Sequence, residues 1–129
     1  MKILFADDLP NIRGLTSHVL EQRGHTVKTV IDGYELVQDL IQELEAGNIY
    51  DLIVTDYNMP KMDGLEVLRC IRADDRFKTL QVIVYTTNNY IEFKSEVESF
   101  GGVLVNPKMV NELLAAVDAI AAKVAKEKE

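Results

Sequence analysis

Three aspartates at the ends of two short apolar runs are the residues of this sequence best suited to chemistry. Asp7 and Asp8 directly follow the apolar run 3–6, and Asp56 directly follows the apolar run 52–55. Carboxylate oxygens are hard ligands of the kind that Mg²⁺ prefers, and Mg²⁺ keeps positions for water and phosphate oxygens. A carboxylate beside such a metal can attack a phosphoryl donor and form an aspartyl phosphate.

The two runs have the length and composition of strands that are buried on both faces of a parallel sheet. Ligands of an open α/β sheet bind outside the carboxyl ends of its strands. Three carboxylates at that edge would repel one another unless a cation joined them. Asp7 and Asp8 could instead merely cap the first helix, but the matching position of Asp56 makes capping alone the weaker interpretation.

Helical patterns alternate with the apolar runs along the chain. The expected strands cover residues 3–6, 26–30, 52–55, 81–85 and 103–105. The first helix begins near Pro10, with an apolar stripe formed by Ile12, Leu15, Val19 and Leu20. Later helices are expected at 36–44, after a cap at Asp63, at 91–100 and at 110–124. The alternation predicts one α/β domain over residues 1–129, with a doubly wound parallel sheet.

Composition excludes several functional classes. The formal net charge is −7, which argues against direct binding of nucleic acid. No apolar stretch approaches the roughly 20 residues that span a bilayer, so no membrane association is expected. The start Met1-Lys2-Ile3 enters a strand without a signal peptide, and the single Cys70 fits a reducing compartment. We therefore expect a cytoplasmic domain.

Four segments mark the ends of the predicted strands and the loops after them: Asp7-Asp8, residues 56–64 (Asp-Tyr-Asn-Met-Pro-Lys-Met-Asp-Gly), residues 82–86 (Val-Ile-Val-Tyr-Thr) and Asn106-Pro107. Together they closely resemble the receiver domain of two-component response regulators, the CheY-like family. The segments occur in the family's order, and the resemblance covers essentially the whole chain. It implies a (βα)5 fold with a five-stranded parallel sheet in the order 2-1-3-4-5, as in flavodoxin and CheY.

The resemblance also implies a role for each site residue. Asp56 would be the phosphoacceptor. Asp8 and Asp56 would bind Mg²⁺ with the backbone carbonyl of Asn58, and Asp7 would act through a water. Thr86 would hydrogen-bond the phosphoryl group and move the loop after the fourth strand. The donor would be a histidine kinase or a histidine phosphotransfer protein, and the domain would act as a phosphoacceptor that promotes its own phosphotransfer and dephosphorylation, not as an enzyme.

By the same resemblance, the output would be a changed protein-binding face made by the fourth helix, fifth strand and fifth helix. This face would bind a downstream protein target. Its residues would include Tyr90, Phe93, Lys94, Val103 and Lys108.

The chain departs from the family at the switch. Asn106 holds the place where the family usually has a lysine before the proline, and a neutral amide does not replace a cation. Lys108 lies two residues further on and is a weak candidate to substitute. Val103 replaces an aromatic residue and Thr87 a small one. We expect phosphotransfer to survive with weaker or rewired coupling to the output face.

Two other functions fit parts of the sequence less well than the receiver. A phosphorylation-independent interaction module on the same fold would explain Asn106 and Val103 but not the intact acidic trio. A nucleotide- or flavin-binding enzyme would need a glycine-rich first turn, and the chain has Asp7-Asp8-Leu9-Pro10 there instead.

Overall fold

Short runs of β-branched and aromatic residues form the strands, and longer amphipathic segments form the helices. The computed structural model describes residues 1–86, 90–106 and 110–128, with the backbone alone for residues 90, 91, 110 and 111. The strands are β1 Lys2–Ala6, β2 Thr26–Val30, β3 Leu52–Asp56, β4 Gln81–Tyr85 and β5 Val103–Val105. The helices are α1 Pro10–Gln22, α2 Gly33–Glu45, α3 Gly64–Ala73, α4 Tyr90–Ser99 and α5 Val110–Glu127.

The strands form one parallel sheet in the order β2-β1-β3-β4-β5, which confirms the predicted fold class and strand order. The central strands β1 and β3 are neighbours, with Ala6 opposite Thr55. On the other side of β3, Asp56 is opposite Tyr85 of β4. Because neighbouring parallel strands end at the same edge, the residues after β1 and at the end of β3 are brought side by side.

Two apolar layers cover the two faces of the sheet, since alternate side chains of a strand point to opposite faces. One layer packs the sheet against α2, α3 and α4, and it contains Leu4, Ile53 and Val84. The other packs the sheet against α1 and α5, and it contains Phe5, Val54 and Tyr85. Side chains therefore pack against both faces of β3 and β4, and this packing keeps the carboxyl ends of the two strands rigid.

The first helix is placed differently from the sequence prediction. Its apolar stripe does not face the sheet, because Ile12 is 41% and Leu15 is 63% exposed, whereas Leu20 is buried. Arg13 is half-buried instead, and its Nη1 donates a hydrogen bond to the backbone carbonyl of Asp7 at 2.8 Å. The helix α1 thus turns Arg13 and Leu20 toward the sheet and leaves Ile12 and Leu15 in solvent.

Smaller differences concern the ends of elements, such as the start of α2 at Gly33 and not at residue 36, and one short additional helix. The fourth helix begins at Tyr90 and ends at Ser99, one residue earlier at each end than predicted. A short 3-10 helix at Asp75–Phe77 was not predicted. No helix in the described parts of the chain is long and apolar enough to cross a membrane.

The start of α3 fixes the loop that follows Asp56. Asp63 caps the helix as predicted, with Glu66 N–H donating to Asp63 Oδ1 at 2.8 Å, and Glu66 Oε1 accepts from Asp63 N–H at 3.3 Å. Gly64 follows, and its N–H donates to the carbonyl of Tyr57 at 2.8 Å. A Cβ at Gly64 would lie 2.7 Å from the carbonyl oxygen of Asp56 and 2.9 Å from the Tyr57 Cα. Only glycine lets the helix start approach this closely.

Replacing Gly64 by alanine should therefore destabilise the fold. We expect Gly64→Ala to lower the free energy of unfolding by about 1–3 kcal/mol, because both contacting atoms belong to the backbone and cannot move aside. Gly14→Ala is the matched control, since nothing lies within 4 Å of a Cβ there. It should stabilise the exposed helix α1 by up to about 1 kcal/mol. Urea unfolding measures both, and a Gly64→Ala variant as stable as the wild type would contradict this packing.

Candidate metal centre

Three carboxylates meet at the carboxyl edge of the sheet. Asp7 and Asp8 follow β1, Asp56 ends the neighbouring strand β3, and one oxygen from each lies within 4.8 Å of the other two. Asp7 is buried, whereas Asp8 and Asp56 are half-buried. The structure thus brings together the three aspartates that the sequence singled out, which we call the acidic trio.

Asp7 is the most firmly held member of the acidic trio. Its Oδ1 accepts a hydrogen bond from the Leu9 N–H at 2.8 Å, and its Oδ2 accepts one from the Tyr85 hydroxyl. Its backbone N–H donates to the carbonyl of Val30 at 3.2 Å, and its carbonyl accepts from Arg13. Both carboxylate oxygens therefore have a donor, and the side chain is fixed in one orientation.

Tyr85 is a residue of the site that sequence reasoning missed. It was expected only as the last residue of a buried strand, yet its hydroxyl reaches the acidic trio from the face of the sheet covered by α1 and α5. Burial and then the hydrogen bond to Asp7 raise the pKa of Tyr85, so the hydroxyl stays protonated and remains a donor. The polar end of a tyrosine in an otherwise apolar strand was the available signal. The sequence does not show that its hydroxyl crosses β3 to reach Asp7 at the end of β1.

Asp56 is the carboxylate whose charge is least well accommodated. Burial, followed by the charge of Asp7, raises its pKa to about 7. The charge of Asp8 acts in the same direction. A hydrogen bond of 3.2 Å from the Asn58 N–H to Asp56 Oδ1 opposes the shift without cancelling it. In the absence of a cation, Asp56 therefore carries much of the electrostatic strain of the site.

The donor set of the acidic trio fits Mg²⁺. It offers hard oxygen ligands, and none of the ion pairs that the structure describes involves Asp7, Asp8 or Asp56. A divalent cation would relieve the mutual repulsion that raises the pKa of Asp56. The residues that could hold it are Asp8 and Asp56, with Asp7 acting through a water and the carbonyl of Asn58 as a further ligand, as the resemblance implies.

The two other predicted site residues follow the next strands along the same edge. Thr86 comes directly after β4 and is buried, and its N–H donates to the carbonyl of Val105 at 3.1 Å. Asn106 comes directly after β5 and is half-buried. Both residues therefore lie at the same carboxyl edge of the sheet as the acidic trio. Thr87 and Lys108, the possible substitute for the family's lysine, lie outside the described residues.

A neighbouring lysine in the loop after Asp56 is directed elsewhere. Lys61 has a positive φ of 68°, and its ammonium lies 3.5 Å from Asp32 Oδ2. Asp32 is buried, and its Oδ1 caps α2 by accepting from the Glu35 N–H at 2.7 Å. Lys61 thus ties the loop to the start of α2.

An aromatic pair connects the residue after Asp56 to α4. The rings of Tyr57 and Phe93 are stacked, with centroids 4.0 Å apart and planes 12° apart. The N–H of Tyr57 also donates to the carbonyl of Tyr85 at 2.9 Å. Phe93, one of the residues predicted for the output face, is half-buried and packs against the core. The loop after Asp56 therefore has direct contact with α4.

Comparison with known proteins gives a consistent result. The family model described as "Response regulator receiver domain" matches residues 3–118. Chemotaxis protein CheY of Pseudomonas aeruginosa is 38% identical over 86 residues, which cover 67% of this chain and 66% of that protein. The chain therefore spans about two thirds of the length of this curated relative.

Solved structures show the same likeness over more of the chain. Chemotaxis response regulator CheY4 of Vibrio cholerae has a TM-score of 0.72 at 30% identity, covering 92% of this chain and 97% of that one. Response regulator TrrA of Thermotoga maritima, in complex with Mg²⁺ and BeF, gives the same four values. TrrA in complex with histidine kinase ThkA gives a TM-score of 0.74 at 29% identity, with the same coverage.

The raised pKa of Asp56 predicts an unusual dependence of stability on pH. The carboxyl group has a pKa near 3.8 when unfolded and about 7 in the native state, so folding takes up a proton between these values. In EDTA, the free energy of unfolding should therefore fall as the pH rises from about 5 to about 8. The fall should be roughly 1–2 kcal/mol, because solvent screens part of the effect at this half-buried group.

Asp56→Asn is the matched control for this pH dependence, since its neutral amide has nearly the same shape. When both proteins are unfolded in urea, the free energy of unfolding should fall less between about pH 5 and about pH 8 in this variant than in the wild type. Identical pH profiles for the variant and the wild type would rule out Asp56 as the source.

Proposed function

This chain belongs to the response regulator receiver family, and from this premise we propose that it accepts a phosphoryl group on Asp56 with the help of Mg²⁺. The observation that carries the proposal is the acidic trio, in which the pKa of Asp56 is raised to about 7 by burial and by Asp7. It would act as a phosphoacceptor that promotes its own phosphotransfer and dephosphorylation. The exposed thiol of Cys70 suits the cytoplasm as its compartment.

The chemistry proposed for Asp56 is a single in-line displacement. An ionised Asp56 oxygen attacks phosphorus, a new O–P bond forms, and the P–N bond of a phosphohistidine donor breaks as the imidazole leaves. Asn58 N–H holds Asp56 Oδ1, which leaves the other carboxylate oxygen to reach the donor. Mg²⁺ bound by the acidic trio would neutralise the oxygens of the transferring group. The protein's own part is to present Asp56 ionised and correctly oriented.

The docking place proposed for the phosphodonor is an exposed apolar patch beside the acidic trio. Leu9, Ile12 and Leu15, at and after the start of α1, are 55%, 41% and 63% exposed. Exposed apolar patches rimmed by polar residues mark interaction sites. Leu9 also donates its N–H to Asp7, so the patch is continuous with the site. A histidine kinase or a histidine phosphotransfer protein would present its phosphohistidine from this side.

The output side is proposed to be weakly coupled to the site. Asn106 offers no cation to the phosphoryl group, and Val103 is 40% exposed where the family often has an aromatic residue. The face made by α4, β5 and α5 would still bind the downstream target. The side chain of Tyr90 and the whole of Lys108, both expected there, lie outside the described residues. Phosphorylation would shift an existing equilibrium between loop states.

The alternative is a phosphorylation-independent interaction module on the same fold. Asn106 and Val103 favour it, because both weaken the expected link between phosphorylation and the output face. The acidic trio argues against it, since a pure binding module has no need for three mutually repelling carboxylates. Binding of beryllofluoride with Mg²⁺, which mimics a phosphoryl group, separates the two, because the module should bind none.

Phosphorylation by a small phosphodonor tests the site directly. With Mg²⁺ present, the wild type should acquire an acid-stable, base-labile label, and Asp56→Asn should acquire none, because the nucleophile is gone. EDTA should abolish labelling of the wild type. Asp118→Asn is the control, since Asp118 is an exposed carboxylate paired with Arg23 and remote from the acidic trio. Label retained on Asp56→Asn would overturn the assignment of the phosphoacceptor.

Restoring the family's lysine tests the proposed weak coupling. Asn106→Lys should show larger NMR shift changes in α4, β5 and α5 on addition of beryllofluoride and Mg²⁺ than the wild type shows. It should also be phosphorylated at a different rate, because an ammonium group is added beside the phosphoryl group. Asn48→Lys adds the same charge at an exposed position before β3 and should leave both measurements unchanged. Equal phosphorylation rates and equal NMR shift changes in Asn106→Lys and the wild type would contradict the proposed weak coupling.

A further inference from the structure

The hydroxyl of Tyr85 lies in a place that packing alone does not require. The ring is 4% exposed and stacks on Phe5, with centroids 6.0 Å apart and planes 10° apart. The hydroxyl at its tip donates to Asp7 Oδ2 and lies 3.4 Å from the carbonyl of Ala6. A phenylalanine would fill the same apolar layer. The polar tip therefore serves the acidic trio.

Tyr85 completes the orientation of Asp7. The Leu9 N–H holds Asp7 Oδ1 from the α1 side at 2.8 Å, and Tyr85 holds Oδ2 from β4. Two donors from two different elements fix the plane of the carboxylate. An ionised carboxylate has about four lone-pair sites, so Asp7 keeps acceptor capacity toward the centre of the acidic trio.

We propose that Tyr85 is a positioning residue for Mg²⁺ binding, an inference that rests on the proposed function of the acidic trio. It holds Asp7 in its binding orientation before a cation arrives, and so lowers the cost of assembling the ligand set. Outer hydrogen-bond partners orient the carboxylates around a metal site, and loss of such a partner typically weakens metal binding about 10–100-fold. This role matters more in this chain because Asn106 adds no charge to the site.

Tyr85→Phe isolates the hydroxyl, since it keeps the ring that stacks on Phe5. A matched control exists in the same chain. The Tyr50 hydroxyl donates to Asp39 Oδ1 at 2.6 Å, and Tyr50 is 3% exposed and precedes β3, at the opposite edge of the sheet. Tyr50→Phe removes a hydrogen bond of the same chemical type without touching the acidic trio. A merely structural role for Tyr85 predicts that the two variants behave alike toward Mg²⁺.

The experiment is titration of the full chain with Mg²⁺ by calorimetry, with urea unfolding in EDTA as the measure of stability. Both variants should unfold at lower urea than the wild type. The dissociation constant for Mg²⁺ should rise about ten-fold or more in Tyr85→Phe and stay within about two-fold of the wild type in Tyr50→Phe. If Tyr85→Phe is partly unfolded in EDTA, the three titrations are repeated in sucrose, which favours the folded state.

The outcomes separate this inference from the proposed function. A dissociation constant for Tyr85→Phe within two-fold of the wild type would overturn the positioning role and leave the Mg²⁺ site intact. Equal weakening in Tyr85→Phe and Tyr50→Phe would also overturn it, because the effect would then follow stability. A wild type that binds no Mg²⁺ would overturn the proposed function, and the inference with it.

Discussion

The mutual repulsion of Asp7, Asp8 and Asp56 is the constraint around which this structure is organised. Their oxygens lie within 4.8 Å of one another at the edge of the sheet. Charges this close and partly removed from water interact strongly, and the raised pKa of Asp56 expresses that cost. A fold keeps such an arrangement when something else compensates for it, and a bound divalent cation is the compensation that the chemistry of the site supports.

Much of the surrounding structure holds the acidic trio in place. The central strands β1 and β3 are buried on both faces, so the strand ends are rigid supports. Gly64 allows α3 to start against the carbonyl of Asp56, and the Asp63–Glu66 capping box secures that start. Arg13 and Tyr85 bind Asp7 from α1 and β4. Because this edge of the sheet is rigid, the free energy of folding can offset the electrostatic repulsion among the three carboxylates.

Sequence patterns predicted the parts of this design that are local. Apolar runs that end in aspartate gave the strand ends, and Asp63 gave the start of α3, because strand burial and helix capping depend on neighbouring residues. The contact between Tyr85 and Asp7 joins residues 78 apart in sequence, and no periodicity reports it. The exposure of Ile12 and Leu15 could not be predicted either. An apolar stripe shows which residues share a face of the helix, but it does not show whether the sheet covers that face.

The carboxyl group of Asp56 gives the most direct test of this account. Its pKa can be followed by carbon-13 NMR of the side-chain carboxyl, first in EDTA and then with saturating Mg²⁺. The carboxyl group is expected to titrate near 7 without the cation, and its pKa should fall markedly when Mg²⁺ is bound. An ordinary pKa near 3.8 in EDTA, or a pKa that Mg²⁺ leaves unchanged, would contradict this expectation.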